Sequence, residues 1–165
     1  MQKSAVFFFL ALCLAMSYGY AQTAAVFGHF VGSSPCGNVI RPLLQMSEKE
    51  ECDFTKWQIT LYQDPVSKTP TVFKLKALYG LSQPNTSGFI GGGISRESEG
   101  KWSIVKGTKT NPEAVVYQLN PDRPELSISF VKMDDNVIHF LYSDKSLMIG
   151  NAGYSYTFNK ANNLP

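Results

Sequence analysis

Histidine, cysteine and charge are all scarce in this 165-residue chain, which holds two histidines, three cysteines and only 17% charged residues. So few imidazoles and thiols exclude a metal-rich or disulfide-dense scaffold. The 15 basic and 13 acidic residues leave a formal charge of +2, too balanced for a general nucleic-acid or anionic-membrane footprint. Beyond the first stretch there is no apolar run long enough to cross a bilayer as a helix. Sustained 3.6-residue periodicity is missing too, and with it any alternation of β and α units. The 44% hydrophobic and 13% aromatic content exclude disorder and point to one well-packed domain.

What is present begins with a leader. Lys3 precedes an apolar run over residues 5–16, AVFFFLALCLAM, which has secretory-signal length rather than spanning length. Gly19 and Ala21 put small side chains where a signal peptidase needs them. The expected division is therefore a signal peptide over 1–21 and a single domain over 22–165, exported and soluble in the periplasm or outside the cell. The alternative is a lipid anchor to the outer membrane through Cys13, against which stand bulky Leu12 and the apolar run that continues past it. Cleavage leaves Cys36 and Cys52, 16 positions apart in an exported chain, and these read as a disulfide. The competing reading is a soft-metal site drawing on Cys36, Cys52 and His29 with copper as cofactor, although neither cysteine belongs to a C-x-x-C pair.

Along the mature chain the dominant period is two. In residues 56–62 (KWQITLY), Trp57, Ile59 and Leu61 share one face with polar neighbours opposite, and in 71–79 Phe73, Leu75, Ala77 and Tyr79 do the same. Further strands are expected over 26–31, 100–106, 114–119, 125–132, 136–142 and 153–158, with a ninth candidate at 89–94. Asn111-Pro112, Asn120-Pro121-Asp122, Asp134-Asp135-Asn136 and Asp144-Lys145 separate them with turn chemistry. Residues 39–46, interrupted by Pro42, suit only a short helical turn. The fold class is all-β: a small antiparallel barrel of about eight strands, because closure removes sheet edges, with a β-sandwich as the alternative.

Residues 80–99 (GLSQPNTSGFIGGGISRESE) are the least strand-like and read as a surface loop or a lid, with Phe89 and Ile90 its apolar exception. The triple glycine 91–93 is no phosphate cradle, since neither Lys-Ser nor Lys-Thr follows at P-loop spacing. Catalytic groups are hard to assemble: His29 and His139 each lie in an apolar strand. Ser127 and Ser129 face solvent. Glu48, Glu50, Glu51 and Asp53 form an acidic cluster near Cys52, read as a solvated loop before a cation site. The aromatics are more suggestive. In a closed barrel several must line the interior or mouth, and Trp57, Phe73, Tyr79, Phe89, Trp102, Tyr117 and Tyr156 are the candidates to hold a small apolar or amphipathic ligand.

The run Phe27-Gly28-His29-Phe30-Val31-Gly32-Ser33-Ser34-Pro35-Cys36, followed by Gly37-Asn38-Val39-Ile40, resembles the opening of the NlpE-like domain of bacterial envelopes, named for a copper-resistance lipoprotein. Trp57-Gln58-Ile59-Thr60-Leu61-Tyr62, Tyr79-Gly80 and Gly100-Lys101-Trp102-Ser103-Ile104 fit its later strands, so the resemblance spans roughly residues 27–158. It implies a small lipocalin-like barrel in the cell envelope, in a group tied to envelope sensing and copper tolerance. Val39 stands where the family's type member has its second cysteine, so only Cys36 matches that chelating pair. The resulting expectation is a non-enzymatic exported protein that binds or senses a small molecule or an envelope protein partner. Copper binding and a hydrolase using His29 or His139 are the rival functions.

Overall fold

The computed structural model describes residues 23–162. The expected signal peptide, its cleavage after Ala21 and the Cys13 alternative lie outside the described residues. Period-two patterning becomes eight strands: β1 (Ala25–Pro35), β2 (Phe54–Gln63), β3 (Pro70–Gly80), β4 (Ile94–Lys106), β5 (Val115–Leu119), β6 (Ile128–Lys132), β7 (Val137–Leu141) and β8 (Thr157–Ala161). Each pairs antiparallel with the next, and β8 returns to β1, where Ala161 meets His29 and Phe158 meets Gly32. That last pairing closes the barrel and excludes the sandwich. Among the described residues no helix is long and apolar enough to cross a membrane.

The first four strands have 10 to 13 residues and the last four have five each. All long connections gather at one end, called here the looped end, and the short turns at the other, the hairpin end. Between them the interior is filled. Phe30, Trp57, Phe73, Phe130, Phe140 and Phe158 are each at most 2% exposed, and Phe130 packs on Phe140 and Phe158 with ring centroids 4.8 and 5.2 Å apart. Gly32 is required at this density, because a Cβ there would lie 2.7 Å from the Thr157 carbonyl oxygen and 2.8 Å from the Phe158 ring. The Trp57 indole N–H, buried among these rings, donates to Ser34 Oγ at 2.9 Å.

The looped end is plugged by the β1–β2 connection. Its short helix α1 (Ile40–Leu43), at the expected helical turn, buries Ile40, and Leu44 follows it into the same core. Two ties hold the plug. Cys36 and Cys52 are bonded, with Cα atoms 5.8 Å apart. The Glu50 carboxylate accepts from the Tyr79 hydroxyl at 2.9 Å and from Arg96 at 3.1 Å. The Tyr79 hydrogen bond, with Arg96 and Arg41 nearby, holds the Glu50 carboxyl below its ordinary range. One member of the acidic cluster is thus a latch rather than a cation ligand.

Four expected boundaries move, the first being that of β1, which runs on to Pro35 instead of ending at residue 31. Residues 94–99 belong to β4 rather than to a loop; their alternation is hidden because Ser95, Glu97 and Glu99 face solvent while the opposite face carries Arg96 and Ser98 instead of apolar side chains. Phe89, the loop's apolar exception, stacks on Phe54 outside the wall at 4.4 Å. The last strand runs over Thr157–Ala161 instead of 153–158, since Tyr154 leaves the alternation to stack on the other face of Phe54 at 4.6 Å. β6 begins at Ile128, because Pro124 starts a 3-10 turn over Pro124–Leu126.

The bridge closes a loop of 16 positions, so replacing both cysteines by alanine should lower unfolding free energy by about 3 kcal/mol in denaturant titrations. Thiol labelling of the folded mature protein should find no free cysteine; two reactive thiols would contradict the pairing.

Candidate functional site

The hairpin end carries the site. Register slips by one residue between Val26 and Gly28, so that Phe27 is the extra residue of a β-bulge. The bulge brings the Phe27 ring to 5.0 Å from Trp102 and 5.5 Å from Tyr117, edge-on to the latter. Trp102 is fixed by its indole N–H, which donates to the Tyr62 carbonyl at 2.6 Å, and its ring meets Tyr117 edge-on at 5.6 Å. Phe30 adjoins Tyr117 below them at 6.5 Å. Gly28 leaves room for this floor, since a Cβ there would sit 2.9 Å from the Phe30 ring.

Above the floor opens a cup of about 390 Å³ whose rim is Lys132, Asp134, Asp135 and Lys160. The tight β6–β7 turn holds Asp135 2.6 Å from Lys132. Hydrogen bonding to Asp135 raises the Lys132 pKa, and the same bond lowers that of Asp135, so both are charged at neutral pH. Burial pushes the Tyr117 phenol above its ordinary value; Lys132 opposes this and Asp135 reinforces it. Tyr117 therefore presents a neutral O–H near the ions of the rim. Aromatic faces beneath two lysines and a phenol suit a flat apolar body bearing an anionic or polar head.

Of the seven aromatics expected at a ligand site, the barrel brings Trp102 and Tyr117 together here. Trp57 and Phe73 are locked in the filled middle, and Tyr79 and Tyr156 are buried within the core cluster, Tyr79 bonded to Glu50. Phe89 lies outside the wall. Sequence reasoning missed Phe27, Phe30, Lys132, Asp135 and Lys160. The signal for Phe27 is a broken alternation in Val26-Phe27-Gly28, which marks a bulge.

The three residues proposed for copper do not converge. His29 lies midway along β1 with Nδ1 2.9 Å from Thr60 Oγ1, whereas Cys36 follows the end of that strand, about 20 Å further at the rise of an extended chain. The two cysteines are bonded to each other. His139 is held on both sides, by Thr157 Oγ1 at 2.9 Å and by donation from Nε2 to the Met148 carbonyl at 2.8 Å. Among the described residues no three His, Cys, Asp or Glu side chains are placed to hold a metal ion. The largest recess, about 510 Å³, lies on the outer surface among Gln58, Thr60, Lys74, Lys76, Glu97 and Glu99. Its fully solvated ions give a ligand little to displace.

A spectrophotometric pH titration of the native protein minus that of Tyr117→Phe isolates the Tyr117 phenol. It should ionise above the ordinary tyrosine value, and ionisation at or below that value would contradict its burial beneath the rim. Comparison with protein-family models, with curated proteins and with solved structures finds no match for this chain.

Proposed function

We propose that the chain is an exported, non-enzymatic binding protein of the bacterial envelope, whose hairpin-end cup takes one small amphipathic molecule. The observation that carries this reading is the Tyr117 hydroxyl at the edge of an aromatic floor, beside Lys132 and Asp135. The filled middle of the barrel favours a shallow site over a deep one, so the ligand's apolar body rests on Phe27, Phe30 and Tyr117, with Trp102 packed behind Phe27 and Tyr117, while its head meets the lysines. A volume of about 390 Å³ lies at the small end of ordinary ligand sites. The NlpE-like affiliation belongs to the same proposal and is supported by the Pro35-Cys36 step, where β1 ends and the plug begins. Copper handling draws no support from Cys36 and Cys52, which are consumed in the bridge.

The test is a fluorescence titration with 8-anilinonaphthalene-1-sulfonate, a flat aromatic anion, on protein whose near-UV circular dichroism is native. Saturable one-to-one binding is expected, weakened about tenfold by Phe27→Ala and severalfold by the conservative Tyr117→Phe. Lys132→Gln with Lys160→Gln should reduce both the affinity and its salt dependence. An exposed control, Ile149→Ala, should change nothing. Equal affinity in all variants would reject the cup as the site.

A further inference from the structure

β4 has 13 residues, but β5 pairs with only its last stretch, from Trp102 to Lys106. From Ile94 to Gly100 its strand pairing is with β3 on one side alone. Backbone groups of alternate residues point to opposite edges of an antiparallel strand, and the Lys101 carbonyl, which accepts from Asn120 N at 2.9 Å, sets the phase. Ser95, Glu97 and Glu99 therefore turn their N–H and C=O groups away from β3, toward the space β5 does not reach. Among the described residues no strand fills it; the Ser95 carbonyl receives a long 3.5 Å contact from the Arg96 guanidinium. The side chains of all three are exposed.

Opposite this edge, across a crevice of about 250 Å³, stand Asn120, Arg123, Leu126 and Ile128, with Leu44 and Leu75 also lining it. An unpaired edge facing a partly apolar slot is the geometry that strand addition uses. We propose that this edge of β4 receives an extended segment of a partner protein, alternating basic and apolar residues, which adds as a further strand.

The alternation follows from the two faces. Outward positions of an added strand would stand beside Glu97 and Glu99, which select lysine or arginine; inward positions would enter the slot, where Leu44, Leu75, Leu126 and Ile128 select apolar side chains and the two cations, Arg96 and Arg123, are already engaged by Glu50 and Asn120. Lys76 already approaches Glu97 at 3.7 Å, but this pair is exposed on both sides and leaves the carboxylate open to a second cation. A second copy of the chain is disfavoured as occupant, since antiparallel pairing of two β4 edges sets glutamate against glutamate. The crevice belongs to the looped end, away from the cup, so the two sites are tested independently.

Amide exchange followed by NMR on the full mature protein is the test, with acetyl-Lys-Val-Lys-Val-Lys-amide as probe. In free protein the amides of Glu97 and Glu99 should exchange at least tenfold faster than those of Arg96 and Ser98. The probe should slow the first pair saturably, while the matching Glu-Val-Glu-Val-Glu peptide should not. Glu97→Pro removes an N–H that faces the open side and spares the β3 ladder, and it should abolish the effect. Glu97→Lys with Glu99→Lys, which keeps every backbone group, should weaken probe binding at least tenfold. Equal protection of all four amides in free protein would overturn the proposal. So would probe binding indifferent to both variants, or concentration-dependent pairing of two chains at this edge.

Discussion

Closure of β8 onto β1 is the constraint on which the remaining structure depends. Eight strands make a ring only wide enough for one interior layer of side chains, and the pairing of Phe158 with Gly32 shows how tightly that ring is drawn. Once Trp57, Phe73, Phe130, Phe140 and Phe158 fill it, no ligand chamber is left in the middle. Whatever the barrel recognises must be met at its ends or along its wall. The glycines at 28 and 32 serve the same constraint, each standing where a Cβ would collide with an interior ring.

Unequal strand lengths then differentiate the two ends. The long half, β1 to β4, rises past the short half at the looped end, and there the α1 plug covers its inner face under the control of a covalent bond and the Glu50 latch. The same inequality leaves the upper half of β4 without a strand on its β5 side. At the hairpin end, among the described residues, no segment folds inward as α1 does at the other, and Phe27, Phe30 and Tyr117 lie beneath an ionic rim. Lys132 and Asp135 of this rim neutralise each other at the surface rather than in the interior, which spares the cup a large desolvation cost.

The fold was legible because its period-two alternation is strong wherever one strand face is core and the other solvent. Residues 56–62 and 71–79 are read correctly from alternation alone and lie inside β2 and β3. Legibility failed where both faces are polar, as over 94–99, and where aromatics pack outside the wall, as with Phe54, Phe89 and Tyr154. The disulfide pairing was readable from the expectation of export and the cysteine count, and the structure has Cys36 bonded to Cys52. The candidate cup was less visible. Trp102 and Tyr117 could be singled out as aromatics in strands, but their meeting with Phe27 depends on closure between segments more than 70 residues apart in sequence, and Lys132 and Lys160 come from two further strands. No local pattern encodes such a meeting; only the barrel's geometry does.

Native mass spectrometry of the protein isolated from its own cells tests the central claim, that the hairpin-end cup holds a small molecule, most directly. The account predicts a population heavier than the polypeptide by one organic molecule per chain, lost when Phe27 and Tyr117 are both replaced by alanine in a protein that still folds. A bare polypeptide mass throughout, or added mass that survives those replacements unchanged, would contradict it.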